Sequence, residues 1–279
     1  MRVAAIQMRS GLTPEENIPA LESLVREAAK QGATYIQTPE MTGAMQRDKA
    51  VFAKHLRRQK DDLIVAAAER LARELQVTLH IGSTAILRED GKIANRAFVF
   101  GPDGSIQATY DKIHMFDVDL PNGESWRESA TYTGGAEAVM VDVGEAKVGL
   151  AICYDLRFAE LFRTYASHGA HILALPAAFT RQTGEAHWHI LLRARAIETG
   201  SFVVAAAQGG IHADGRQTYG HSLIIDPWGK ILAEKADEEP GVIVSEIDLT
   251  AVVATRARIP NLKNRRHIVL RGQMPISTE

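Results

Sequence analysis

The only cysteine of the chain, Cys153, stands where a nucleophile could stand. It follows the unbroken apolar run Val148-Gly149-Leu150-Ala151-Ile152 and precedes the abruptly polar Tyr154-Asp155-Leu156-Arg157. This is the pattern of a buried strand ending at the start of a helix, and the partial positive charge of a helix N-terminus favours thiolate. The ordinary alternative is a small buried hydrophobe, since free cysteine is among the most buried residue types; position alone leaves both readings open. Glu40 follows Pro39 at the end of the strand-like Tyr35–Thr38, where a carboxylate would project into any cleft the strand ends share. Lys112 lies between Tyr110-Asp111 and Ile113-His114. Singly, the glutamate reads as a helix cap or loop acid and the lysine as a surface charge. Jointly, a thiol, a proton carrier and a cation are what acyl transfer from an amide requires. The carboxylate takes the thiol proton and returns it to the departing nitrogen. The ammonium and a backbone N–H, that of Tyr154, would meet the charge developing on the carbonyl oxygen.

Other chemistries find less support. His187-Trp188-His189 has the look of a metal-ligand pair, and ten histidines are available. No H-E-x-x-H or paired C-x-x-C accompanies it, and side chains two apart on a helix point to different faces. A cysteine–histidine protease with His114 or His221 as base lacks the local sequence such families carry around the cysteine. Neither G-x-S-x-G nor G-x-G-x-x-G occurs.

Short apolar runs alternating with helical patterns must position these groups. Strands are predicted at Val3–Met8, Tyr35–Thr38, Val77–Ile81, Ala97–Phe100, Ile106–Tyr110, Val148–Ile152, His171–Leu175, Phe202–Ala207, Leu223–Ile225 and from Ile231. Gly101-Pro102-Asp103-Gly104 and Asp226-Pro227-Trp228-Gly229 are turns. Helices are predicted at Asp61–Leu75, Leu156–Ser167 and around His187–Thr199. A further helix carries Ile18, Leu21, Leu24, Val25 and Ala28 on one side. Thr13-Pro14-Glu15-Glu16 resembles its capping box, but Pro19 places the expected start near Ile18. Gly32–Pro39 echoes Gly169–Pro176, suggesting two similar halves. With no low-complexity linker, residues 1–279 are expected to form one α/β domain.

Composition narrows the setting. The net charge of -2 argues against a nucleic-acid face, and no apolar run reaches the length of a membrane span. The opening Met1–Gln7 reads as a strand rather than a signal peptide. One cysteine cannot form an internal disulfide, so a reducing, cytoplasmic setting is expected.

Thr38-Pro39-Glu40, Tyr110-Asp111-Lys112-Ile113-His114 and Ile152-Cys153-Tyr154-Asp155-Leu156-Arg157-Phe158 resemble, in order and spacing, the Glu-Lys-Cys motifs of the nitrilase superfamily of carbon–nitrogen hydrolases. The resemblance extends from Ala4–Met8 to Ile247-Asp248-Leu249. It implies a four-layer α-β-β-α sandwich and association into homodimers or larger homo-oligomers through the helical layers. It also implies Glu40 as general base and acid, Lys112 as stabiliser of the tetrahedral intermediate and Cys153 as the thioester-forming nucleophile, without a cofactor or metal. A second glutamate that orients the site matches Glu128, with Glu124 the weaker match. The stretches Ala178–Thr180, Ala186-His187-Trp188 and Leu192–Glu198 look like the branch of deaminated-glutathione amidases and ω-amidases. Val203–Gln208 and Tyr219–Ser222 lean to the former. The expected substrate is therefore a small carboxylate-bearing amide such as deaminated glutathione. An ω-amidase acting on α-ketoglutaramate, an N-carbamoyl amino acid amidohydrolase and a non-catalytic binding member are the alternatives. Arg157 and Arg181 are candidates to hold the substrate carboxylate, because guanidinium pairs bidentately with it.

Overall fold

Val3 and Ala5 on one face of the first strand, and Ala4 and Ile6 on the other, are all fully buried. A strand buried on both faces needs a layer on either side, and the computed structural model, which describes residues 1–121, 123–269, 271 and 272, supplies both. The first sheet contains β1 (Arg2–Gln7), β2 (Tyr35–Gln37), β3 (Thr78–Leu87), β4 (Ile93–Phe100) and β5 (Ile106–Asp111). Two ribbon strands follow, β6 (Asp117–Asp119) and β7 (Ser125–Arg127). The second sheet contains β8 (Met140–Val143), β9 (Ala146–Leu150), β10 (Ile172–Ala174) and β11 (Phe202–Ala205). A second ribbon pairs β12 (Gly209–Ile211) with β13 (Gln217–Tyr219), after which β14 (Leu223–Ile225) and β15 (Ile231–Glu234) complete the second sheet. β16 (Gly241–Glu246) returns to the first. The strand orders are β16-β1-β2-β3-β4-β5 and β15-β14-β11-β10-β9-β8.

Val3, Ala5, Tyr35, Val99 and Tyr110 of the first sheet join Val148, Leu150, Leu173 and Val204 of the second in one apolar core between the sheets. The opposite face of the first sheet, with Ala4, Ile6, Ile36 and Phe98, packs on Leu21, Val25, Ile64 and Leu71. Those four belong to α1 (Pro14–Lys30) and α3 (Leu63–Leu75); a short α2 (Lys49–His55) precedes α3. The second sheet is covered by Phe162 and Tyr165 of α4 (Ala159–Ser167) and by Trp188, Leu192 and Ala196 of α5 (Arg181–Thr199). The last helix is α6 (Thr250–Arg258). The four-layer α-β-β-α sandwich is thus the observed architecture. β2 and β10 occupy equivalent places, each parallel to both neighbours, so the Gly32–Pro39 and Gly169–Pro176 echo marks corresponding parts of two halves.

Three local expectations are corrected. α1 begins at Pro14, not near Ile18: the Thr13 side chain accepts from Glu16 N, and Pro19 lies inside the helix. Glu15, whose carbonyl loses its partner to Pro19, is exposed, so water can serve it. The helix predicted at Leu156–Ser167 is broken; a 3-10 turn, Cys153–Arg157, ends at Phe158 before α4 begins. The helix expected around His187 starts six residues earlier, capped by Thr180.

Candidate active site

The candidate reactive side chains come from the ends of strands in both sheets. Glu40 lies three residues beyond β2, Lys112 directly follows β5, and Cys153 opens the turn after β9. Gly82 in β3 permits the convergence, because a Cβ there would lie 2.2 Å from Thr38 O, 2.5 Å from Pro39 O and 2.4 Å from Pro176 Cβ. The carboxylate of Glu40 is buried, its Oε1 2.9 Å from Lys112 Nζ and 2.9 Å from Asn95 Nδ2, while Ala178 N donates to its Oε2 at 2.9 Å. Gln208 holds the Glu40 carbonyl at 2.9 Å. Lys112 Nζ also reaches both Glu128 oxygens, at 3.0 and 2.8 Å, and Phe116 N donates to Glu128 Oε2 at 2.7 Å. Glu124 instead accepts from Trp126 Nε1 at 3.2 Å.

Electrostatics follow from this arrangement. Burial opposes charge on Lys112, but Glu128, Glu40 and Cys153 outweigh it and hold the ammonium proton well above the ordinary lysine range. Burial, reinforced by the facing Glu40 carboxylate, pushes the Cys153 thiol well above its ordinary value, although Lys112 pulls the other way. This corrects the expectation of a helix-stabilised thiolate: the turn after Cys153 is short, and burial beside an anion dominates. Cys153 itself adopts φ +50°, a left-handed conformation that costs a non-glycine residue on the order of 1–3 kcal/mol. Cys153 N donates to Pro176 O at 2.9 Å. Asp155, fully buried, fastens the same turn by accepting from Ile152 N (2.9 Å), Tyr110 Oη (2.7 Å) and His114 N (3.0 Å). One carboxylate thereby ties the Lys112 strand to the Cys153 turn. Among the described residues the Tyr154 N–H has no hydrogen-bond acceptor.

Glu40, Lys112, Glu128, Cys153, Tyr154 and Arg157 line one cavity of about 560 Å³. Aromatic walls come from Phe52, Phe116, Trp126, Tyr132 and Phe179. Arg157 rests over the Tyr154 and Phe179 rings, with ring centroids 5.8 and 5.5 Å from its Cζ. Arg181 is corrected as a substrate ligand: its guanidinium pairs with Glu238 and does not line the cavity. Three arginines that sequence reasoning missed do line it, of which Arg127 is paired with Asp119 at 2.9 Å. Arg47 and Arg216 lie over Trp126, at 4.7 and 5.9 Å from the ring centroid, and Arg216 is anchored by Asp214 at 2.5 Å. Asn95, bridging the two glutamates, was also missed; nothing in its residue type signals it. The motifs Ala207-Gln208 and Tyr219–Ser222, which favoured one substrate over another, brace the framework instead. Ser222 N donates to Gln7 Oε1 at 3.0 Å, and of these residues none lines the cavity.

The histidine-based alternatives lose their geometry. His114 Nδ1 lies 2.6 Å from Asp155, its ring stacked 3.5 Å from Phe158, and His221 faces Glu234; neither lines the cavity that holds Cys153. His187 and His189 diverge, one toward Arg157 at 3.4 Å and the other toward Glu234 at 2.9 Å.

A family model described as carbon-nitrogen hydrolase matches residues 2–257. The chain is 38% identical to the deaminated glutathione amidase of Synechocystis sp. (strain PCC 6803 / GT-S), covering 94% of this chain and 97% of that protein. It is likewise 38% identical to the omega-amidase NIT2 of Mus musculus, covering 95% of each. Its fold superposes with a TM-score of 0.85 on Saccharomyces cerevisiae Nit3, a member of branch 10 of the nitrilase superfamily, at 28% identity over 96% of this chain and 97% of the other.

Proposed function

The chain belongs to the carbon–nitrogen hydrolase family of the nitrilase superfamily, in its ω-amidase-like branch, and on that basis we propose that its amidase activity runs through a thioester on Cys153. The observation that carries this reading is the convergence of Glu40, Lys112 and Cys153 on one cavity lining, with Lys112 2.9 Å from Glu40. Because burial keeps the thiol protonated, attack needs a base, and Glu40 takes the Sγ proton as sulfur bonds to the amide carbon. The carbonyl oxygen becomes an oxyanion between the Lys112 ammonium and the Tyr154 N–H; losing one such donor typically costs about 3–4 kcal/mol. Collapse of the tetrahedral intermediate breaks the C–N bond, and the nitrogen leaves with the proton Glu40 holds. Glu40 then deprotonates a water that attacks the thioester, and the acid departs as the thiol regains its proton. Glu128, with two contacts to Lys112, fixes the ammonium between both carboxylates. No step calls on a cofactor.

The substrate is a small anionic amide. Arg157 lines the cavity with no acidic partner among the described residues, so a substrate carboxylate can complete it. Arg47, which has no acidic partner among the described residues, adds positive charge, which favours deaminated glutathione, with a carboxylate at each end, over the shorter α-ketoglutaramate. The shorter ω-amide is the second reading, since identity to the two kinds of named relative is equal. Association through the helical layers, as a homodimer or larger assembly, is supported by Ile190 and Ile197 on α5 and Val253 on α6, 71%, 51% and 68% exposed. A catalytic free thiol suits a reducing, cytoplasmic setting.

The test compares kcat/KM for both keto acids, a neutral amide and an N-carbamoyl amino acid, in wild type and Arg157→Ala. The expected order is deaminated glutathione, α-ketoglutaramate, then the others. Arg157→Ala should raise KM for the acids by about 10–100-fold, the worth of a charge-assisted hydrogen bond, and leave the neutral amide alone. Preference for the neutral or carbamoyl compound would remove the substrate reading. Absence of turnover on any of them would favour a binding protein.

A further inference from the structure

A second group of chemically capable side chains lies outside the lining of the cavity that holds Cys153. His189 from α5, His221 from the segment before β14, and Glu234 at the end of β15 bring three ligand atoms within 4.8 Å of one another. None of the three lines the substrate cavity. All are partly exposed, so an ion could reach them.

The distances suit coordination. Two ligands bound to one Zn²⁺-like ion at about 2.1 Å, at angles from octahedral to tetrahedral, lie roughly 3.0–3.4 Å apart. His189 Nε2 and His221 Nδ1 stand 2.9 and 3.3 Å from Glu234 Oε1. Two imidazoles and one carboxylate are a ligand set that first-row divalent ions take, leaving positions for water. His221 is held from several sides. Its backbone has φ +54°, Trp188 Nε1 donates to its carbonyl at 2.8 Å, and Tyr219 stacks on its ring at 4.2 Å and 21°. The His189 ring meets Tyr219 edge-on at 5.9 Å. Rings restrained in this way fit a site that need not reorganise around its ion.

We propose that His189, His221 and Glu234 form a structural binding site for a first-row divalent transition-metal ion of the Zn²⁺ class, joining α5 to the β14–β15 edge of the second sheet. The ion does no chemistry on the amide; it fastens the helix whose Arg195 grips the Leu156 carbonyl, at 3.0 and 2.8 Å, beside the Cys153 turn. This proposal is independent of the substrate reading.

Full-length, metal-stripped protein is titrated with Co²⁺, followed by its visible absorption, and the Co²⁺ is then displaced with Zn²⁺; Cys153→Ala runs in parallel. The site predicts one saturable equivalent per chain, an intense low-coordinate Co²⁺ spectrum without a thiolate charge-transfer band, and a Zn²⁺-dependent rise in Tm. Glu234→Gln retains the shape and a hydrogen-bond acceptor but loses the ligand. It should weaken binding at least about 100-fold, the most that loss of a mere supporting group costs. His189→Gln should do the same, and neither variant should show the Zn²⁺-dependent Tm rise. Binding unchanged in Glu234→Gln would reduce the trio to a hydrogen-bonded cluster and overturn the proposal. So would no saturable uptake, or a sulfur band that vanishes in Cys153→Ala.

Discussion

Glu40 and Glu128 both touch Lys112, yet their surroundings assign them different work. Glu40 faces the thiol and raises its pKa, whereas Glu128 is engaged by Lys112 and Phe116 N. Glu40→Gln should therefore lower kcat by on the order of 10³-fold, within the range of general acid–base catalysis. Glu128→Gln should cost less and chiefly loosen Lys112. Equal losses in two folded variants would reverse this division. A second effect has a definite sign. Removing the Glu40 charge leaves Lys112 beside the sulfur, so the thiol of Glu40→Gln should ionise at lower pH than wild type. Thiolate ultraviolet absorbance against pH measures it, and an unchanged or higher midpoint would mean that Glu40 does not face Cys153. At this scale the convergence of Glu40, Lys112 and Cys153 on one cavity was legible because their three motifs, taken together, resemble those of one family in order and spacing. Arg47, Arg216 and Asn95 were not. Arg47 reads as a solvated loop charge until the fold sets it over Trp126, and Arg181 resembled a ligand until Glu238, 57 residues on, claimed it.

The elements that hold these residues owe their ends to local chemistry. Asp62 caps α3 by accepting from Ile64 N and Val65 N at 2.9 and 3.0 Å, but burial raises its pKa to about 6 against those bonds and Arg57. A carboxyl with folded pKa above its unfolded value stabilises fully below about pH 4, and that stability is lost as pH rises through about 6. The difference amounts to at most about 3 kcal/mol. Asp62→Asn keeps the cap without the buried charge, so at pH 7.5 its unfolding free energy should equal or exceed wild type. Asp62→Ala should lose about 0.5–2 kcal/mol with the cap. Denaturant melts of the three proteins at pH 4 and 7.5 check this; an Asn variant as unstable as Ala at pH 7.5 would refute it. The positions of β1–β5, β9–β11, β14 and β15 were legible from short apolar runs and the turns between them, whereas β6, β7, β8, β12, β13 and β16, each with exposed or partly exposed residues, were not expected. The break at Phe158 was not, because the 3-10 turn is imposed by Asp155 reaching back to Ile152 and across to Tyr110. The start of α1 was misplaced because Pro19 was weighed without knowing that Glu15 faces solvent.

Across the molecule, two sheets of six strands bring together motifs from both halves of the chain, and neither half holds a complete site. The repeat of Gly32–Pro39 in Gly169–Pro176 made the two-fold character visible from eight residues. What it could not give is that β16 closes the first sheet by pairing antiparallel with β1. The central claim is that acyl transfer passes through Cys153, and the whole-protein mass tests it most directly. Enzyme mixed with excess amide, quenched in acid within the first turnovers and weighed intact, should carry one acyl group of the substrate's mass. Peptide mapping should place that group on Cys153, with none on Cys153→Ala, which should be folded and without turnover. An adduct on another residue, or sustained turnover by Cys153→Ala, would contradict the account.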